Sequence, residues 1–123
     1  MHLYTYQIGK WRQLQPLGVP LLDTTVKSGV PWLAPTWDMV MGVKKGRLSE
    51  QAYTEAYNEI LDYTFFHSPH LWDDLFRHSH LAVGCYCQAH TFCHRYLLAE
   101  FLQKVGHVTY HGELTPESRR LSV

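Results

Sequence analysis

Twelve consecutive residues, Gly84-Cys85-Tyr86-Cys87-Gln88-Ala89-His90-Thr91-Phe92-Cys93-His94-Arg95, hold all three cysteines, two of the nine histidines and an arginine. Thiols and imidazoles at this density offer two kinds of chemistry. One is metal binding. Cys85 and Cys87 lie two apart at the end of an apolar run that reads as a strand, so their side chains share a face. Cys93 and His94 follow after a five-residue link, and Cys85, Cys87, Cys93 and His94 together would count as four ligands for tetrahedral zinc. Against this, there is no Cys-x-x-Cys pair, and adjacent residues in a first helical turn diverge. The other chemistry is covalent. Free N–H groups at a helix start, with Arg95 beside them, lower a thiol pKa, which makes Cys93 or Cys87 a nucleophile with His94 as its acid–base partner. The same helix start can also receive a phosphate or carboxylate on Arg95. A Cys-x5-Arg phosphatase loop is absent. Plain core packing is the competing role for a cysteine, above all for Cys85 on its apolar strand.

A second polar constellation is Asp23-Thr24-Thr25-Val26-Lys27-Ser28-Gly29, at the end of another strand-like run. Lys27 supplies a point charge, Ser28 a hydroxyl, and Gly29 permits close backbone approach, a combination that suits an anion. The Gly-x4-Gly-Lys phosphate loop is missing, and taken alone the segment is equally a solvated turn. Trp32, in a proline-flanked loop, and Trp37 are candidates to stack on a planar ligand, with Tyr53 as a further aromatic that also fits a helix core stripe. His67, His70, His78 and His80 show no ligand spacing, and His107 and His111 carry no clear signal.

The elements that must position these residues follow from pattern. Residues 3–8 alternate as a strand, and residues 19–26 form a second, punctuated by Gly18 and Pro20. Residues 30–35, with two prolines, read as a loop. Thr36 caps a helix over residues 37–45 that stops at Gly46. Ser49 caps the next, whose apolar residues Ala52, Tyr53, Ala56, Tyr57, Ile60 and Leu61 recur at helical period. Ser68-Pro69 starts a third helix, residues 81–85 form a strand buried on both faces, and a helix runs from residue 92 or 93 to 105. Residues 108–110 form a last strand, Thr115-Pro116-Glu117 a terminal turn, and residues 121–123 a frayed end. Strands separated by helices predict an α/β domain with a small, mostly parallel sheet and helices on both faces. Strand C-termini then share one edge, so the cysteine turn and the Lys27 loop should face one crevice.

The chain has 123 residues, 46% of them hydrophobic, with 11 basic and 11 acidic side chains. This fits one domain over residues 1–123, with a core at about 2–114 and a short tail at 115–123. A balanced charge offers no general field for duplex nucleic acid. Neither a leader nor a membrane-length apolar run is present, and three clustered cysteines do not make a disulfide framework, so a cytoplasmic protein with no membrane role is expected.

Two blocks resemble the Domain of Unknown Function 488 family in its bacterial and phage form. They are LAVGCYCQAHTFCHRYLLAEFLQKVG and LLDTTVKSGVPWLAPTWDMVMGVKKGRLSEQAYTEAYNEIL. The similarity covers about residues 2–114 and matches at Asp23, Thr25, Lys27, Ser28, Pro35, Trp37, Tyr53, Cys87, Cys93, His94 and Arg95. It implies a compact Rossmann-like domain of unsettled activity that is suspected of handling nucleotides or nucleic acid. It does not imply zinc, because many members have a single cysteine where this chain has Cys85 and Cys87.

The resulting expectation is a nucleotide-, nucleoside- or nucleic-acid-handling domain of unsettled activity, with a small hydrolase or transferase as the reaction class if it is an enzyme. Asp23, Thr25, Lys27, Ser28, Trp32, Trp37 and Arg95 would hold an anionic ligand, and Cys87, Cys93 and His94 would do the chemistry. Two alternatives stay open. One is a non-catalytic binding or inhibitory protein that acts on a partner protein or a ligand, with Trp11, Trp32 and the histidine-rich third helix as its contact face. The other is a module stabilised by zinc.

Overall fold

The computed structural model describes residues 1–117. Four strands, β1 (His2–Gln7), β2 (Leu21–Asp23), β3 (His80–Cys85) and β4 (Thr109–Glu113), form one sheet in the order β2-β3-β1-β4. Every pairing is parallel. Parallel neighbours require crossovers, and these are right-handed in nearly all proteins. The β1–β2 link travels one way across the sheet, while the β2–β3 and β3–β4 links travel the other. The first must therefore cover one face and the other two the opposite face.

The packing follows that rule. Leu3, Leu81 and Val83 point into a large core with α2 (Trp37–Lys44), α3 (Glu50–His67), α4 (Pro69–Phe76) and α5 (His94–Val105). Tyr4, Tyr6 and Ala82 point the other way, onto Leu14 of the single-turn α1 (Trp11–Leu14) and onto Val19. A Rossmann-like α/β sheet with helical cover on both faces results, one side much thicker than the other.

Local signals set most boundaries. Thr36 accepts from Met39 N (3.2 Å) and Ser49 from Ala52 N (3.1 Å), while Gly46 takes the left-handed stop at φ 73°. Ser68 departs from expectation: it ends α3 and precedes α4 without a side-chain cap bond, because it serves both helices at φ −137°. β2 is shorter than the expected residues 19–26, because beyond Asp23 the backbone folds into a turn around that side chain. Ile8, expected to end the first strand, instead opens a 3-10 turn, and residues 9–17, for which no element was expected, continue as 3-10, α and 3-10 turns in succession. The loop at residues 30–35 contains a 3-10 turn, Pro31–Leu33, that buries Leu33. β4 runs on to Glu113 through Gly112 (φ 87°) and a register shift against β1. The terminal turn is a 3-10 fragment at residues 116–117, and the expected fraying of residues 121–123 lies outside the described residues. No described helix is long and apolar enough to cross a membrane.

Candidate functional site

The site begins where β2 and β3 end side by side. Asp23 stands in register with Gly84, and the next residue, Thr24, donates to Gly84 O from both its N–H (3.1 Å) and its Oγ1 (2.9 Å). The two polar segments, sixty residues apart, therefore emerge at one rim.

In the first segment Asp23 organises a tight turn. Its Oδ1 accepts from Thr25 N (2.8 Å) and Thr25 Oγ1 (2.7 Å), and its Oδ2 accepts from Ser28 Oγ (2.6 Å). Gly29 closes the turn because a Cβ there would lie 2.6 Å from Asp23 O. Asp23 and Ser28, expected as ligand contacts, are thus committed to the turn, which presents Thr25, Val26 and Lys27 to a pocket.

That pocket encloses about 250 Å³. Pro35 and, from α2, Trp37, Val40, Val43 and Lys44 form one wall. Tyr53 of α3 and Phe92 form another, their rings edge to face at 5.3 Å. Tyr86 and Cys87 lie at the same cavity, and Cys85, Cys93 and His94 supply the buried floor. Trp37 is 53% exposed, an aromatic plane left open beside the cavity. Trp32 is not there. Contrary to expectation it does not line this pocket but packs edge to face on Trp72 (5.0 Å), half-buried against the large core. A second, more open depression around Trp11 and Pro20 has no ionisable group among its lining residues except Tyr6.

On the floor, the Sγ atoms of Cys85 and Cys93 are in direct contact, their Cα atoms 7.7 Å apart. His94 Nδ1 lies 3.8 Å from Cys93 Sγ. Its Nε2 lies 2.9 Å from Thr24 O and 3.0 Å from Thr24 Oγ1. Thr24 O can only accept, so the ring proton belongs on Nε2 and the Nδ1 lone pair faces the sulfurs. Burial, reinforced by the Arg95 cation, pushes the imidazole down to about 4, and it is neutral at ordinary pH. Among the described residues Cys85, Cys93 and His94 form a group with ligand atoms all within 4.8 Å of one another. Cys87 stands apart, free and exposed, and only its carbonyl joins the network.

Arg95, expected to receive an anion, has other partners. It is fully buried and pairs with Glu113 at 2.8 Å (Nη2–Oε1) and 3.3 Å (Nε–Oε2). Its Nη1 donates to Cys85 Sγ (2.9 Å) and Cys87 O (2.8 Å). The guanidinium braces the floor from behind instead of reaching the cavity. Sequence reasoning missed Glu113, although a strand extended to that residue would have placed an acid at the shared rim. It also missed Lys44 and Thr24.

The model of DUF488-N3a, the active DUF488-N3 subclade, matches residues 5–106. The chain belongs to the DUF488 family. The DUF488 match spans every residue of the pocket and Arg95, and it stops before Glu113 on β4. No curated protein and no solved structure is a match.

Proposed function

We propose that this DUF488 protein is a small nucleotide- or nucleoside-handling enzyme, a hydrolase or transferase, whose ligand occupies the pocket over the ends of β2 and β3. The observation that carries this reading is the pocket's division of labour. Aromatic and aliphatic walls from Trp37, Tyr53, Phe92, Val40 and Val43 suit the faces of a heterocycle, and Lys27 and Lys44 are both lining residues. Two lysines attract an anionic tail, and one exposed indole offers a stacking plane. At about 250 Å³ the cavity sits just under the ~300–1,000 Å³ usual for ligand sites, a size for one nucleoside unit and not for a dinucleotide. The reacting end of the ligand would lie over the floor of Cys85, Cys93 and His94.

The test is a thermal-shift screen of nucleosides and nucleotides against the reduced protein. Binding to the native state alone raises the melting temperature. Trp37→Ala is expected to weaken binding about tenfold by removing one stacking contact of ~1–3 kcal/mol. Lys27→Ala combined with Lys44→Ala should weaken phosphorylated ligands and leave nucleosides unaffected. No shift with any compound in the panel would refute the reading.

A further inference from the structure

We propose that Cys85 Sγ, Cys93 Sγ and His94 Nδ1 bind one zinc ion, with its fourth coordination position open to the pocket. The ligand set stands on its own geometry, and only the role of the open position rests on the reading of the pocket above.

Three features point the same way. First, the donor atoms converge: all lie within 4.8 Å of one another, the Cys93 Sγ to His94 Nδ1 distance is 3.8 Å, and of the set only the two sulfurs, which are in direct contact, have to part to admit the ion. Bonds of ~2.3 Å to sulfur and ~2.1 Å to nitrogen at a tetrahedral angle give an edge of roughly 3.6 Å. Second, the imidazole is prepared as metal-ligating histidines are. Nε2–H donates to Thr24 O (2.9 Å), which fixes the tautomer and aims the free Nδ1 at the sulfurs. Third, the charges close. Two thiolates and a divalent cation sum to zero, and the buried Arg95 is neutralised by Glu113. Arg95 Nη1 still donates to Cys85 Sγ at 2.9 Å. A thiolate is a strong acceptor for such a buried, charged donor, whereas a neutral disulfide sulfur is a weak one.

The competing state is a Cys85–Cys93 disulfide, given the direct contact of the two sulfurs. Disulfides hold Cα atoms at about 4.4–6.8 Å, and here they stand 7.7 Å apart. A disulfide would also leave His94 Nδ1 aimed at sulfurs that have no use for it. Two thiolates and an imidazole in a compact set favour zinc over the hard cations. Cys85, Cys93 and His94 all line the pocket, so an ion among them would meet whatever enters it. Three protein ligands with one open position is the arrangement in which zinc serves as a Lewis acid or lowers the pKa of bound water.

The experiment uses full-length protein purified without a metal-affinity tag, reduced, stripped with a chelator and titrated with cobalt(II). One cobalt per chain is expected, with a thiolate-to-cobalt charge-transfer band that zinc abolishes. Cys93→Ser and Cys85→Ser should weaken binding at least a hundredfold, and Cys87→Ser should leave it unchanged. If the serine variants do not fold by circular dichroism, the wild-type titration and its band still decide. The proposal is overturned if the reduced wild type shows no charge-transfer band, if its mass retains an internal disulfide under reductant, or if Cys87→Ser weakens binding as much as Cys93→Ser. Because the band is read without nucleotide, a metal site that persists in a protein no nucleotide stabilises would sink only the function proposed for the pocket.

Discussion

Asp23 shows at the scale of one residue how a polar group at the rim can be structural. Burial raises its pKa, but hydrogen bonds from Ser28 Oγ, Thr25 N–H and Thr25 Oγ1, helped by the nearby His94, outweigh burial and hold the carboxyl below its ordinary 3.8. With a depressed folded value, the unfolded chain takes up the proton first on acidification. The stabilisation is therefore complete above the unfolded value and is lost as pH falls through the lower folded one. Asp23→Asn is predicted to cost about 1 kcal/mol at pH 7, kept small by solvent at this half-exposed position. It should also show a shallower loss of stability than wild type below about pH 4. Urea midpoints measured across pH check this, and identical acid limbs in the two proteins would contradict it. Residue groupings were legible in the sequence where partners are neighbours, as for Cys85, Cys93 and His94, although Cys87, expected with them, stands apart. They were misread where the partner is remote. Arg95 looked like an anion receptor because Glu113 lies eighteen residues further on. Trp32 looked exposed because its cover, Trp72, belongs to another helix.

At the scale of elements, the strand that delivers Cys85 depends on a missing side chain. Gly84 pairs with Tyr6 across the β1–β3 ladder, and a Cβ at Gly84 would come 2.6 Å from Tyr6 Cζ. The Tyr6 ring is buried and cannot swing clear. Gly84→Ala is predicted to destabilise the fold by about 1–3 kcal/mol, the usual cost of overpacking. Denaturant unfolding measures this, and an unchanged midpoint would show that the β3 end is more yielding than the packing indicates. The same variant should weaken cobalt binding, since Gly84 O anchors Thr24, the hydrogen-bond partner of His94. Helices with caps and a sustained apolar period, α2, α3 and α5, were legible because their signals are local. Residues 8–17 were not. Single helical turns are too short to show a period, and their stability comes from Leu14 packing on the far face of the sheet.

For the molecule as a whole, topology makes the site. Parallel strands and right-handed crossovers bring the ends of β2, β3 and β4 to one edge, where the Asp23 turn, the cysteine turn and Glu113 meet. That convergence follows from the alternation of strands and helices, which is why the crevice could be expected before its walls were known. The walls could not be read in advance. Lys44 and Val43 reach the pocket only because α2 lies against α3, a tertiary fact with no signature in the local sequence. The central claim is that a nucleoside-sized ligand lodges between these walls over the sulfur–imidazole floor. Titration of reduced, isotope-labelled protein with a nucleoside monophosphate, followed by backbone amide NMR, tests it most directly. The account predicts shift changes concentrated in residues 25–27, 37–44 and 85–94. Changes centred instead on the depression around Trp11 and Pro20, or none at saturating ligand, would contradict it.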